Sequence, residues 1–172
     1  MLLCAVLAPG ILFSAGCSGH HRELGGHEVT TANDVRVGPA YSECGSLTTP
    51  DVAAVVRRTD LKLIAKTPAG CTWSPSGSWS TLPNVALTWY RGSPIGRERE
   101  GEERTRDEVK DFSAGGKRGF ISSTYGMCVT ALEYGDGQFF ELAVTLLGAG
   151  HGTSSDACHC AMKLSTQVAE KV

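Results

Sequence analysis

Residues 127–146 read MCVTALEYGDGQFFELAVTL, and this stretch decides the fold. Gly135-Asp136-Gly137 is a strong turn signal between two runs of strand-forming residues. In the second run, apolar side chains at positions 140, 142, 144 and 146 alternate with the side chains between them. This period of two is typical of a strand with one buried face. The stretch therefore predicts an antiparallel hairpin.

Further strands are predicted before this hairpin. Cys71-Thr72-Trp73 follows a glycine and precedes a loop rich in Ser, Pro and Gly, which is typical of a short strand. Residues 85–90 alternate with a period of two, and residues 119–125 form another candidate strand. Gly115-Gly116 is predicted to be a hairpin turn.

Helices are predicted at three places. Thr49-Pro50-Asp51 combines a capping hydroxyl, a proline and an early acid, which together favour a helix start. Residues 97–111 are dense in charges of both signs and predict an exposed helix over one sheet edge. Ser154 or Ser155 is expected to cap a final helix. Its predicted core stripe is Ala157, Ala161, Leu164, Val168 and Val172.

The order of these elements predicts an α+β fold, in which an antiparallel sheet carries packed helices and disulfides stabilise the whole. The length of 172 residues suggests one domain, which we place at residues 43–172. Eighteen acidic against sixteen basic residues give a net charge of -2. No global positive field therefore favours nucleic acid as a partner.

The N-terminal residues predict export. Residues 2–13 are predominantly apolar and uncharged, which is short for a membrane span but suits the core of a signal peptide. Ser14-Ala15-Gly16 places small residues directly before Cys17, as a lipoprotein signal peptidase requires. We therefore predict a lipoprotein signal peptide over residues 1–16 and cleavage between Gly16 and Cys17. Cys17 would then carry an S-diacylglycerol and an N-acyl chain.

This lipobox departs from the usual pattern at two points. Ser14 stands where an aliphatic residue is preferred, and no Lys or Arg precedes the apolar run, which predicts a true start upstream of Met1. The alternative is a buried N-terminal helix or strand with an incidental cysteine. Residues 17–42 have no sustained period and predict a flexible tether after the acylated cysteine. We expect the histidines of this tether to be solvated rather than to bind a metal.

Several landmarks together resemble a family of mycobacterial and actinobacterial lipoproteins of unknown function, the family to which LprB and LprC belong. The most specific are the segment WYRGSPIGRER at residues 89–99 and the GCTW cluster at residues 70–73. The others are Cys44, Gly115-Gly116, Cys128 and Asp156-Ala157-Cys158. The resemblance implies an envelope location and four recurring cysteines. It implies no reaction, cofactor or catalytic residue.

The four recurring cysteines allow three disulfide pairings. We expect Cys71 to pair with Cys128, because both lie near the starts of strands that could be neighbours. Cys44 would then pair with Cys158. Cys160 is an additional cysteine and is expected to be a free thiol.

Cys158-His159-Cys160 could also suggest a zinc site or a catalytic thiol, but both interpretations are weaker than a disulfide cysteine followed by a free thiol. A zinc site needs more ligands in suitable spacing, and only His151 lies nearby. Cys160 with His151 or His159 could form a nucleophile and base, but an oxidising compartment disfavours a lone catalytic thiol. No G-x-S-x-G, H-E-x-x-H or P-loop motif is present in the sequence. We predict no metal, cofactor or catalytic residue.

Aromatic and basic residues supply the candidate ligand surface. Trp79 lies in a Ser/Pro/Gly loop, and Tyr90 with Arg91 is predicted to line a pocket between the sheet and the charged helix. The sequence favours a non-enzymatic binding or accessory protein, held on the extracytoplasmic face of the plasma membrane by lipid. Its partner would be an envelope lipid, glycan or protein. The alternatives are an envelope enzyme with an unrecognised site and a structural or host-exposed lipoprotein without a ligand.

Overall fold

The predicted hairpin forms the centre of a seven-stranded antiparallel sheet. A computed structural model describes residues 43–75, 83–135, 137–147 and 153–171. The strands of its sheet are β1 (Lys62–Thr67), β2 (Gly70–Ser74), β3 (Asn84–Arg91), β4 (Glu108–Ala114), β5 (Lys117–Thr124), β6 (Met127–Glu133) and β7 (Gln138–Thr145). Their order across the sheet is β1-β2-β3-β7-β6-β5-β4.

Within the described residues, three α-helices pack on the sheet: α1 (Thr49–Val56), α2 (Ile95–Thr105) and α3 (Ser154–Lys171). The predicted α+β fold class is confirmed. The predicted signal peptide, the tether and residues Gly16, Cys17, Trp79, His151 and Val172 lie outside the described residues.

One face of the sheet, here called the α3 face, carries the main core. Leu132 pairs with Phe140 across β6 and β7, and both are fully buried together with Leu142 and Val144. Helix α3 covers them with Ala157, Ala161, Leu164 and Val168, all of which have no exposed surface. This part of the predicted helical stripe is confirmed. Burial of these apolar side chains is the main stabilising term of the fold.

The opposite face, here called the α2 face, carries a smaller apolar cluster. Phe120, Ala131 and Phe139 form its buried part. Tyr90, Ile95 and Val109 pack around it half-buried, and Ile95 belongs to the first turn of α2. Because successive strand residues point to opposite faces, each strand contributes side chains to both layers.

The start of α1 differs slightly from the prediction. Thr48, not Thr49, caps the helix: its Oγ1 accepts from the Asp51 backbone N–H at 3.3 Å, and Asp51 Oδ2 accepts from the Thr48 N–H at 3.0 Å. The Thr48 hydroxyl, which donates to Asp51 Oδ2 at 2.7 Å, and the Thr48 N–H together lower the pKa of Asp51. The Thr49 hydroxyl instead accepts from Trp73 Nε1 at 3.2 Å, which links α1 to β2.

The prediction of a helix over residues 97–111 is correct only for its first part. Helix α2 ends at Thr105, and residues 108–114 form β4, which pairs with β5 along its whole length. Gly115 and Gly116 have φ values of 57° and 74°, as a two-residue hairpin turn requires, and this predicted turn is confirmed. The ladder of backbone hydrogen bonds to β5 outweighs the helical charge pairs, which are weak individually.

The predicted disulfide pairing is wrong. Cys44 is bonded to Cys71, with a Cα–Cα distance of 5.3 Å, and Cys128 to Cys158, with 4.9 Å. Strands β2 and β6 are separated by β3 and β7, so Cys71 and Cys128 lie about 14 Å apart at the usual strand spacing. A disulfide spans at most about 7 Å between Cα atoms.

Peptide mapping without reduction tests the observed pairing. We expect Cys44–Cys71 and Cys128–Cys158 peptides in the wild type and in Cys160→Ala, which serves as the control. The double variant Cys128→Ala/Cys158→Ala should lose about 3–4 kcal/mol of unfolding free energy, because the link closes a separation of 30 residues. Urea denaturation measures this loss. Recovery of a Cys71–Cys128 peptide would contradict the structure.

A pair of glycine variants tests the sheet packing. A Cβ on Gly119 would lie 1.8 Å from the Ala131 carbonyl oxygen of the neighbouring strand. We therefore expect Gly119→Ala to lower the unfolding free energy by at least about 1–3 kcal/mol. Gly101→Ala is the matched control, because Gly101 lies inside α2 with nothing within 4 Å of its Cβ position. This control should gain about 0.5–1 kcal/mol. Equal effects in urea denaturation would show that the close approach is absent.

Candidate functional site

A cleft of about 390 Å³ opens at the end of the α3 face, beside the first disulfide. We call it the disulfide cleft. Its walls come from the Glu43–Ser46 turn, from the hairpin that joins β1 to β2, and from the end of β3. The lining residues are Glu43, Cys44, Lys66, Thr67, Pro68, Cys71, Trp89 and Arg91.

The backbone holds this cleft in a defined shape. Lys66 lies opposite Cys71, and Cys71 opposite Leu87, so three strands contribute at one level of the sheet. The Trp89 backbone N–H donates to the Ala69 carbonyl at 2.7 Å and closes the β1–β2 turn against β3. The disulfide to Cys44 then fixes the preceding turn on the same surface.

Close packing explains why that turn contains a glycine. Gly45 has a φ of 59°, and a Cβ at this position would lie 2.9 Å from Val168 Cγ1 and 3.0 Å from Leu87 Cδ2. The turn therefore lies directly on the core between β3 and α3. This contact holds in place the turn that forms one wall of the disulfide cleft.

Of the two basic side chains in the disulfide cleft, one is in an ion pair and the other is not. The Lys66 ammonium donates to the Glu43 carboxylate in an exposed ion pair. Arg91 is exposed, and its side chain makes no hydrogen bond or ion pair with the described residues. A guanidinium presents five N–H donors in a planar fork. The cleft therefore offers uncommitted donors beside the Trp89 ring.

The structure does not bring Tyr90 and Arg91 together. They are neighbours on β3, so their side chains point to opposite faces of the sheet. Arg91 lines the disulfide cleft, whereas Tyr90 lies on the α2 face and stacks on Phe139 with ring centroids 4.4 Å apart. Burial and the charges of Glu141, Glu98 and Glu102 raise the pKa of Tyr90 to about 12.

A second polar region lies between α2 and the sheet, and we call it the carboxylate cluster. Arg106 donates from Nε and Nη2 to the Glu102 carboxylate at 2.7 and 3.2 Å. The Ser122 hydroxyl also donates to Glu102, which is only 9% exposed. Glu98 and Glu141 complete the cluster. A buried carboxylate is tolerated here because a cation and a hydroxyl both donate to it.

Glu141 has the most unusual titration in the carboxylate cluster. Burial raises its pKa to about 7, and the charges of Glu98 and Glu102 act in the same direction, while Arg106 opposes them. A carboxyl that titrates near neutrality could transfer a proton. The sequence offered one signal for this site, an acid inside the alternating strand β7. Glu141 lines neither the disulfide cleft nor the cleft at Cys160.

Cys160 faces a third region, a cleft of about 320 Å³ between α1 and α3 that also includes His159. Cys160 is 7% exposed, and its Sγ lies 3.5 Å from the Val55 carbonyl oxygen. Burial raises the pKa of Cys160, which keeps the thiol protonated and weakens it as a nucleophile. Cys158 is bonded to Cys128, so its sulfur is not available to a metal.

Glu141 should make stability depend on pH. Its pKa is higher in the folded protein than the ordinary 4.5, so the unfolded chain loses the proton first as pH rises. Protonated Glu141 therefore stabilises the folded state fully below pH 4.5, and about 3 kcal/mol of unfolding free energy is lost as pH rises through about 7. Urea denaturation of wild type and Glu141→Gln between pH 4.5 and 8 measures the difference.

The expected difference in unfolding free energy between Glu141→Gln and wild type has a definite sign. Glu141→Gln should gain stability relative to wild type as pH rises, because the amide carries no charge to bury. Glu133→Gln is the control, since Glu133 is exposed at the end of β6 and its carboxylate is solvated in both states. A constant difference between wild type and Glu141→Gln over this range would contradict the prediction.

Comparison with known proteins identifies relatives over most of the chain. The family model described as "Protein of unknown function (DUF3558)" matches residues 12–171. "Putative lipoprotein LprB" of Mycobacterium tuberculosis (strain ATCC 25618 / H37Rv) is 36% identical over 155 residues, which cover 84% of this chain and 83% of the relative. The protein of the same name in Mycobacterium leprae (strain TN) is 33% identical over 140 residues, or 76% and 73% of the two chains.

No solved structure matches the chain. Within the described residues, no helix has the length and apolar character needed to cross a membrane. The family resemblance inferred from the GCTW cluster and residues 89–99 is confirmed by the matches above. The chain belongs to the DUF3558 family, whose function is unknown.

Proposed function

We propose that this protein is an acylated lipoprotein of the bacterial envelope, attached through Cys17 to the extracytoplasmic face of the plasma membrane. There it acts as a non-enzymatic binding or accessory protein. The observation that carries the proposal is the small-residue run before Cys17, in a chain whose relatives are named lipoproteins. Two or three acyl chains on one cysteine give stable attachment, since each buried methylene contributes about 0.8 kcal/mol.

The cysteine chemistry of the folded part supports an exported location. Four of the five cysteines in the described residues form two disulfides. Such bonds form and persist in oxidising compartments and are rare in the cytosol. The disulfides and the lipobox therefore favour the same side of the membrane.

The disulfide cleft supports a binding role. Its volume of about 390 Å³ falls in the range of about 300–1,000 Å³ that is usual for small-molecule sites. The two cysteines in its wall are bonded to each other, and Lys66, Arg91 and Trp89 supply positive charge and an aromatic ring to the lining.

One observation favours an envelope enzyme as the second candidate function. The pKa of Glu141 is raised to about 7, which is the range in which a general acid or base works at neutral pH. Against this, Glu141 belongs to the carboxylate cluster, near the charges of Glu98 and Glu102, and lies outside the clefts described above. Turnover of an envelope substrate that is lost in Glu141→Gln and kept in Glu133→Gln would favour the enzyme.

Intact-mass analysis in an actinobacterial host tests the anchor. We expect the wild type in the detergent-extracted membrane fraction, beginning at Cys17 and carrying the mass of a diacylglycerol and an acyl chain. Cys17→Ser should lack this mass completely, because a hydroxyl does not replace the thiol in the thioether. Cys4→Ser is the matched control, since it removes the other cysteine of the N-terminal segment. An unmodified wild type in the cytosol would reject the proposal.

A further inference from the structure

We propose that the disulfide cleft binds a polyol phosphate, meaning a sugar or glycerol unit that carries a phosphate ester. The phosphate would lie at Arg91 and the hydroxyl-bearing part at Glu43 and Lys66. This inference rests on the binding role proposed above and specifies its ligand. It does not depend on acylation of Cys17.

Arg91 lies at the end of the cleft that we expect to bind the anionic phosphate. It is exposed, and no acidic side chain of the described residues pairs with it. This is so even though acidic residues outnumber basic ones in the chain. A guanidinium binds phosphate oxygens through two parallel hydrogen bonds, which gives both charge and geometry. The single acid in the lining, Glu43, is already paired with Lys66.

The two basic residues of the disulfide cleft rise from well-separated backbone positions. Lys66 is on β1, at the level of Leu87 but two strands away from it, and Arg91 is four residues further along β3. Their Cα atoms are therefore separated by about 13 Å along the strands and by about 10 Å across them. Trp89 lies between these levels. The ligand therefore needs a body that extends from the phosphate at Arg91 towards Lys66.

The Lys66 end has the chemistry for hydroxyl groups. The Glu43 carboxylate accepts hydrogen bonds and the Lys66 ammonium donates them, and the two lie side by side in an exposed pair. Exposed pairs of this kind are held weakly and can exchange partners with a ligand. Between the ends, Pro68, Trp89 and the disulfide form a less polar wall, against which the carbon face of a polyol can pack.

Calorimetric titration of the full-length protein in neutral detergent micelles tests this assignment. Glucose 6-phosphate is the first probe, and glucose and inorganic phosphate are its two halves. We expect glucose 6-phosphate to bind at least about tenfold more tightly than either half, because each half leaves one end of the cleft unused. The proposal would be overturned if inorganic phosphate bound as tightly as glucose 6-phosphate. It would also be overturned if neither glucose 6-phosphate nor dihexanoyl-phosphatidylglycerol bound.

Matched variants locate the binding. Arg91→Gln should weaken it by about 10- to 100-fold, since a hydrogen-bonded charge pair is lost. Arg97→Gln is its control, because Arg97 is also exposed but lies on α2. Lys66→Met should weaken the binding as well, whereas Lys62→Met, on the same strand and opposite Ser74, should not. Equal losses in a variant and its control would overturn the assignment.

Short-chain lipids distinguish the source of the phosphate. If the ligand is a membrane headgroup, dihexanoyl-phosphatidylglycerol should bind more tightly than glucose 6-phosphate, with the same loss in Arg91→Gln, and dihexanoyl-phosphatidylcholine should not compete. If the ligand is soluble, glucose 6-phosphate should bind more tightly. Both results support the polyol phosphate site. The titration is independent of the membrane anchor, so a failure of the Cys17 experiment would leave its result standing.

Discussion

The register between β6 and β7 is the constraint on which the rest of the structure depends. It places Leu132 against Phe140 and directs both side chains towards α3. A slip of one residue would exchange the faces of every side chain on the strand. Glu141 would then enter the apolar core, and Leu142 would lie among the charges under α2. Such a slip would leave a charge without a partner in the core, so the register is strongly specified.

The same constraint separates the chemistry of the two faces. The α3 face is mostly apolar at its centre, where the buried Thr130 and Ser165 hydroxyls hydrogen-bond to each other, and the disulfide cleft opens at its end. The α2 face combines a small apolar cluster with the carboxylate cluster. Adjacent residues of one strand therefore belong to different sites, as Tyr90 and Arg91 do. A ligand in the disulfide cleft would contact Arg91 but not Tyr90.

The two disulfides stabilise the sheet and its surroundings in a similar way. Each joins a strand to an element outside the sheet, Cys71 to the Glu43–Ser46 turn and Cys128 to α3. The first bond holds the turn that contributes Glu43 to the disulfide cleft. The second holds the final helix on the central hairpin. The proposed binding site thus depends on a covalent link as well as on Gly45, which lets the turn approach the core.

By itself, the sequence determined the features that depend on near neighbours in the chain. The period of two in residues 138–145, the Gly115-Gly116 turn and the buried stripe of α3 follow from backbone sterics and from the faces that these periods create. The lipobox at Cys17 belongs to the same kind of local signal and stays a prediction. The four landmark cysteines were also recognisable from their surroundings.

The tertiary structure alone decided what depends on strand order. Helix α2 ends before β4 because β5 supplies a partner strand, and the local charge pattern of residues 97–111 does not reveal that partner. Cys71 cannot reach Cys128 because two strands lie between them. The near-neutral pKa of Glu141 arises from its burial on the sheet and from the charges of Glu98 and Glu102 on α2. Each of these features depends on contacts between segments far apart in the chain, and residue spacing does not determine which of those segments become neighbours.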